Sequence, residues 1–270
     1  MQIISLGADP EVFVKDGVGS NIPAFTFLDS KRSNRQCYWD GHQAEFTIPP
    51  VSTSQEAIEE IKIGLQSILN AARIVDPQAQ LDYRCLIETP CEELCKLPYK
   101  FIDFGCNPSL NIYNTRIIRL NPRKVPVRVA GCHIHIGLRD FSNTECEWYV
   151  FRKIKSLDES ILPLSIALLQ GLENPQRREL YGKPGEYRVK SYGIEYRTLS
   201  STVLIDPRII KAMFDIVHKF PEDLLDYESL EELREIISYC IDDADWIWEA
   251  ARYGVRNMTT LSIESNWGLV

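Results

Sequence analysis

In three short, widely separated stretches of this chain, polar and apolar residues alternate: Gly7-Ala8-Asp9-Pro10-Glu11-Val12-Phe13, Gly131-Cys132-His133-Ile134-His135-Ile136-Gly137 and Gly193-Ile194-Glu195-Tyr196-Arg197. Alternation is the signature of a strand with one face packed, because residues i and i+2 point to the same side. Asp9 then shares a face with Glu11, His133 with His135, and Glu195 with Arg197, while Val12, Ile134, Ile136, Ile194 and Tyr196 are left for a core. A sheet face lined with charges is costly unless the charges pair with one another or hold a metal. The pattern therefore predicts a metal and phosphate site on a sheet surface.

Between these stretches the pattern predicts further elements. Residues 2–14 form a first strand, interrupted at Asp9-Pro10, with a turn over 16–21 and strands over 22–29 and 36–48 that end at Pro49-Pro50. Thr53 and Glu56 fit a capping box, and Ile58, Ile61, Leu65, Ile68, Leu69 and Ala72 follow at helical spacing, giving a helix over 54–74. Residues 81–137 are mixed and strand-rich. A helix over 143–172 is expected to bend or break at Pro163, a basic loop to fill 174–192, and strand to return over 193–203. The remainder, 207–254, is mostly helix, and the acidic run over 222–245 is a solvated helix face. No linker or charge shift marks a domain boundary. A weak echo of Gly7–Glu11 occurs at Gly105-Cys106-Asn107-Pro108-Ser109, without the acids.

Composition narrows the function. A chain of 270 residues with net charge −8 is not built chiefly to grip a nucleic-acid backbone. The N-terminal residues lack the features of a signal peptide, and the apolar run at 157–169 is broken by Asp158, Glu159, Ser160, Pro163 and Ser165, so no membrane span is expected. The eight cysteines are scattered and read as reduced thiols of a cytosolic protein. Cys85, Cys91, Cys95 and Cys106 cluster too loosely for a typical zinc knot.

The candidate chemistry lies in the polar positions. Asp9, Glu11 and Glu45, the last within Asp40-Gly41-His42-Gln43-Ala44-Glu45-Phe46, offer the oxygen donors that hard divalent ions prefer. His133 and His135 are two of only four histidines, and two imidazoles on one face suggest a ligand or a phosphate contact. The basic stretch 177–188, with Arg178, Lys183 and Arg188, runs toward Glu195 and Arg197, and guanidinium groups suit phosphate oxygens. Together these are the parts of a phosphoryl-transfer site using a nucleotide, although no P-loop, G-x-S-x-G or H-E-x-x-H motif is present.

The residues 7–13, 40–46, 104–108, 131–137 and 181–201, in that order, resemble the phage-encoded carboxylate–amine ligases (amidoligases) of the glutamine synthetase and glutamate–cysteine ligase superfamily. The likeness covers about residues 5–201, and the tail from 207 adds no motif. It implies an α+β fold, glutamine synthetase-like, with a curved and mainly antiparallel sheet, the site on its concave face and helices on its convex side. It implies a single domain over 1–270 with a helical C-terminal portion over 205–270. By resemblance, ATP and Mg2+ or Mn2+ are the cofactors, and a carboxylate is activated as an acyl phosphate before an amine attacks it. Asp9, Glu11, Glu45, His135 and Glu195 are the implied metal ligands, Lys183, Arg188, Arg197 and Arg178 the implied ATP-binding residues, and Arg188, Arg197 and His133 the implied catalytic groups. Which of the two histidines meets metal is left open.

The implied partners are small-molecule or peptide carboxylates and amines, with a homo-oligomer left open. The implied location is the cytoplasm, that of an infected bacterium if the chain is phage-encoded. Asn107 and Ser109 are neutral where the family tends to carry acids, which puts the acceptor preference in doubt. Two other readings remain: a guanidino kinase-like phosphotransferase on the same fold, and a catalytically silent phage structural or host-interaction protein.

Overall fold

The computed structural model describes residues 1–29, 37–103, 109–114, 121–142, 147–220, 229–255 and 263–270. The motif at 104–108, with Cys106 and Asn107, and part of the acidic run lie outside these residues.

The architecture is mixed α/β around an eight-stranded antiparallel sheet. Its strands are β1 (Ile3–Lys15), β2 (Tyr38–Asp40), β3 (Gln43–Glu45) and β4 (Gln80–Asp82). After β5 (Leu86–Glu88) come β6 (Leu110–Asn111), β7 (Val127–Val129), β8 (Cys132–Leu138), β9 (Glu186–Lys190) and β10 (Gly193–Tyr196). The order is β2-β3-β1-β8-β10-β9-β6, with β4 pairing the far end of β1; β5 and β7 form a separate two-stranded ribbon. The three alternating stretches thus become adjacent central strands.

Strand β1 runs unbroken through Asp9-Pro10 and is central, paired with β3 on one side and β8 on the other. The expected interruption is absent because Pro10 costs little there. Its carbonyl accepts from Phe46 N, and Ala8 O accepts from Ile48 N, so only the missing imino proton is lost from that side of the ladder. Residues 22–29 do not form the expected strand; a single 3-10 turn at Ala24–Thr26 stands in their place.

Helix α1 (Ser54–Val75) begins as expected: Thr53 Oγ1 accepts from Glu56 N at 3.2 Å, and Glu56 reaches back to Ser52 N at 2.8 Å. The short helix α2 (Cys91–Lys96) follows β5. Helix α3 (Glu147–Leu168) continues unbroken through Pro163, which faces solvent. The stretch 174–192 is not a loop but α4 (Gln176–Leu180), a turn and β9. Strand β10 stops at Tyr196, and a 3-10 turn at Ser201–Ile205 leads into α5 (Pro207–Lys219), capped by Asp206. α6 (Leu230–Cys240), α7 (Ala244–Tyr253) and α8 (Ile263–Trp267) complete the helices among the described residues. No helix there is long and apolar enough to cross a membrane.

One buried cluster joins the apolar face of the sheet (Ala8, Val12, Ile134, Ile136, Ile194, Tyr196) to Ile61, Leu65 and Ile68 of α1, Leu157 and Ile161 of α3, and Met213 and Val217 of α5. The helices therefore cover the even-numbered side of β1, and Asp9 and Glu11 are left on the other. Phe46, next to Glu45, packs so closely on α1 that a Cβ at Gly64 would lie 2.2 Å from its ring. Gly64→Ala would gain about 1 kcal/mol of helix propensity but incur about 1–3 kcal/mol of overpacking. We expect net destabilisation, read as a lower urea midpoint; an unchanged or raised midpoint would show that Phe46 is not clamped by α1.

Candidate functional site

Strand register decides which polar residues meet. Directly paired residues share a face. Glu45 lies opposite Glu11, and Tyr38 opposite Glu45. Asp9 lies opposite His133, and His135 sits between Gly7 on β1 and Glu195 on β10. Glu195 in turn faces Arg188 on β9. The absent side chain at Gly7 leaves the His135 ring room to lean diagonally, placing Nε2 3.1 Å from Asp9 Oδ2. The β9–β10 hairpin lies flush against β8 only because residue 193 is glycine: at φ 150° its Cβ would fall 2.1 Å from Ile136 O.

Two groups of potential ligand atoms result, each with its atoms within 4.8 Å of one another: Asp9, His135 and Glu195, and Glu11, Asp40 and Glu45. All six residues are at least nine-tenths buried by relative exposure. Asp9 Oδ1 is buried without a hydrogen-bond partner. An orphaned carboxylate oxygen beside an imidazole and a second carboxylate fits a divalent cation, and the all-oxygen second group fits a hard one. Asp40 was not singled out from the sequence, although Asp40-Gly41 is a hairpin-turn signal that folds it back toward Glu45.

Cations crowd Glu195. Lys190 Nζ is 2.7 Å from Oε2, Arg188 Nη1 is 3.9 Å from Oε1, and Arg197 is in direct contact with Oε1. Burial works against the charge of Glu195, but Arg197 and Lys190 outweigh it and its pKa is lowered. Asp9 behaves alike: burial raises its pKa, and the hydrogen bond and charge of His135 bring it down. Glu11 is the opposite case. Burial first, then the Asp40 carboxylate, push it up to about 8, despite a 2.6 Å hydrogen bond from Gly131 N. The Asp9 group is thus already compensated by cations, and the Glu11 group is short of positive charge.

The remaining basic residues serve elsewhere. Arg177, fully buried, donates to the carbonyls of Ala130, Thr198 and Leu199, and Gly182 lacks a Cβ where one would strike it. Arg178 is held by Glu173 and by the carbonyls of Gly182 and Thr198. Lys183 sits in the turn before β9, where its carbonyl accepts from Thr198 Oγ1 and Glu186 N. Neither Arg178 nor Lys183 is among the cations that touch Glu195. Sequence reading missed Lys190, which alternation from Arg188 could have found. It also missed Tyr181 and Tyr192, which no local pattern marks; Tyr181 touches His133 and Arg197, and Tyr192 touches His135.

Residues 123–236 match the family model described as phage phiEco32-like COOH.NH2 ligase-type 2. Over that segment the chain is similar to the carboxylate–amine ligases. The matched segment of the chain carries His133, His135, Arg188, Lys190, Glu195 and Arg197, and extends past the last motif seen in the sequence. Asp9, Glu11, Asp40 and Glu45 precede it and reach the same face through the pairing of β1 with β8 and β3. Among solved structures, a bifunctional glutathione synthetase from Pasteurella multocida is similar with a TM-score of 0.48 and 11% identity, over 93% of this chain. The chain spans 41% of that protein's length. No curated protein matches the chain.

The Glu11 shift has a signed consequence. Glu11 stays protonated in the folded protein up to about pH 8, against 4.5 in an unfolded chain. Between those values unfolding releases a proton, so this group's contribution is greatest at low pH and falls as pH rises through the window. A cation held by Glu11, Asp40 and Glu45 would replace that proton. In EDTA the melting temperature should decline between about pH 5 and 8. Millimolar Mn2+ should raise it, and more so at pH 8 than at pH 5. A Mn2+ effect independent of pH would contradict the assignment of a protonated Glu11 to the cation pocket.

Proposed function

We propose that this protein is an ATP-dependent ligase that joins a carboxylate to an amine through an acyl phosphate. We propose too that its sheet is a glutamine synthetase-like catalytic fold within a single domain spanning 1–270. The observation that carries the reading is the pair of acid groups side by side on one sheet face, with Arg188 and Lys190 on β9 and Arg197 just past the end of β10. The family match over residues 123–236 supplies the reaction class. The substrates are read as small molecules or peptides.

The chemistry explains the need for such a face. A carboxylate resists attack by an amine, because its anion is a poor electrophile and its oxygen a poor leaving group. Phosphorylation removes the second obstacle. Bound Mg2+ or Mn2+, held by Asp9, His135 and Glu195 and by Glu11, Asp40 and Glu45, would neutralise phosphate charge and polarise the transferring group. Arg188 and Lys190, both part-exposed, are the chain's own cations for phosphate oxygens. Arg197 is fully buried under Glu195 and holds that carboxylate ionised and in place. The packed face of the sheet, rigid beneath all of these groups, keeps their spacing fixed while charge moves above it.

Three results test this. ATP binding measured by calorimetry should require a divalent ion; equal affinity in chelator and in Mg2+ would remove the metal sites from ATP binding. Glu195→Gln should abolish turnover and leave the fold intact by circular dichroism, and retention of most activity would take Glu195 out of the site. Arg188→Ala should cost about 2–4 kcal/mol in kcat/KM, the worth of one charge-assisted contact at a transferring phosphoryl group. The substrates themselves should emerge from mass spectrometry of bacterial extract incubated with protein, ATP and Mg2+. Condensation products lacking one water are expected, and ATP turnover with a phosphorylated nitrogen product instead would replace ligation by phosphotransfer.

A further inference from the structure

Each histidine of the His-x-His strand is met by a tyrosine, but on opposite ring nitrogens. Tyr181 OH lies 2.6 Å from His133 Nε2, and Tyr192 OH lies 2.9 Å from His135 Nδ1. The nitrogens that remain face carboxylates: His133 Nδ1 is 3.5 Å from Glu195 Oε1, and His135 Nε2 is 3.1 Å from Asp9 Oδ2.

The proton inventory then follows from what each group can donate. A carboxylate only accepts, so the nitrogen of His133 facing Glu195 carries a proton. Arg197 touches the Tyr181 oxygen, and a guanidinium only donates, so the phenol uses a lone pair on Arg197 and keeps its own proton for His133 Nε2. His133 is therefore a neutral Nδ1–H imidazole whose one lone pair is taken by Tyr181. No lone pair is left for a cation. At His135 the same rule puts the proton on Nε2, facing Asp9, in the cation-free protein. Nε2 is also the ring nitrogen grouped with Asp9 and Glu195, so a cation there would replace that proton and leave the ring protonated on Nδ1, toward Tyr192.

We infer that the two tyrosines divide the histidine pair between two tasks. Tyr181 is a positioning residue that closes His133 to metal and fixes it as the partner that orients Glu195, with Arg197 held in the same clamp. Tyr192 leaves Nε2 of His135 as the one ring nitrogen of the pair that a cation can use, accepting the Nδ1 proton and so setting the ligating tautomer. His133 is on this account not a group that touches the transferring phosphate. The inference about His135 rests on the proposed cation site; the inference about Tyr181 and His133 concerns the metal-free protein and does not.

The test begins with 15N-histidine protein, free of metal and ATP, and long-range 1H–15N spectra assigned through His133→Gln and His135→Gln. His133 should appear as the neutral Nδ1–H tautomer, and Tyr181→Phe should move the Nε2 resonance, whose lone pair has lost its donor, while the proton stays on Nδ1 facing Glu195. A wild-type His133 that is Nε2–H or charged overturns the Tyr181 assignment, even if the Phe variant fails to fold. Calorimetric titration with Mn2+ supplies the second arm. His135→Gln should weaken Mn2+ by about tenfold or more, Tyr192→Phe by a smaller factor, and His133→Gln by no more than about threefold. Equal losses at both histidines would overturn the division. Wild-type protein that takes up no Mn2+ would refute the cation site and the role of Tyr192, and the His133 tautomer would still decide the role of Tyr181.

Discussion

Burying acids on one face of a sheet is the constraint on which this molecule turns. Asp9, Glu11, Glu45 and Glu195 come from three different stretches of chain, and register brings them within a few strand spacings of each other. In a medium less polar than water such a cluster repels itself, and every ion in it has lost hydration. The apolar side of the same strands must therefore be strong enough to hold the face together. It is: Ala8, Val12, Ile134, Ile136 and Ile194 are fully buried beneath α1, α3 and α5. Packing on one side supports electrostatic tension on the other.

The tension is resolved unevenly. On the β8–β10 side, Lys190 and Arg197 supply positive charge, His135 meets Asp9, and Asp9 and Glu195 are held ionised. On the β1–β3 side three carboxylates face one another, and Glu11 keeps a proton to about pH 8. On the proposed reading, a cation at the first group would meet carboxylates already compensated by fixed charges and hydrogen bonds, and a cation at the second would replace a proton. Such asymmetry suits a site in which one cation is structural to the face and another arrives with substrate phosphate.

Much of this face was legible in the sequence. Alternation alone put Asp9 with Glu11, His133 with His135, and Glu195 beside a core of Ile134, Ile136 and Ile194. What alternation does not fix is register. Asp9 stands opposite His133 yet pairs with His135, because Gly7 leaves that ring free to lean. Composition misled at 174–192, where arginine, lysine, glycine and tyrosine read as a basic loop. Arg177 is instead fully buried, its guanidinium spent on three carbonyls, and β9 follows with Lys190 on the site face. Proline rules misled twice, at Pro10 and Pro163, since each has its missing hydrogen bond where the fold can do without it. Tyr181 and Tyr192 were out of reach, because only tertiary packing brings a tyrosine of the 181–192 stretch onto a histidine of β8.

The central claim is that the two acid groups are neighbouring cation sites on one face. Crystals grown with Mn2+ and a non-hydrolysable ATP analogue, with diffraction recorded at the manganese edge, address it most directly. The account predicts two anomalous peaks, one bounded by Asp9, His135 and Glu195 and the other by Glu11, Asp40 and Glu45, with phosphate oxygens toward Arg188 and Lys190. Ordered nucleotide elsewhere on the molecule, with neither acid group holding manganese, would contradict it.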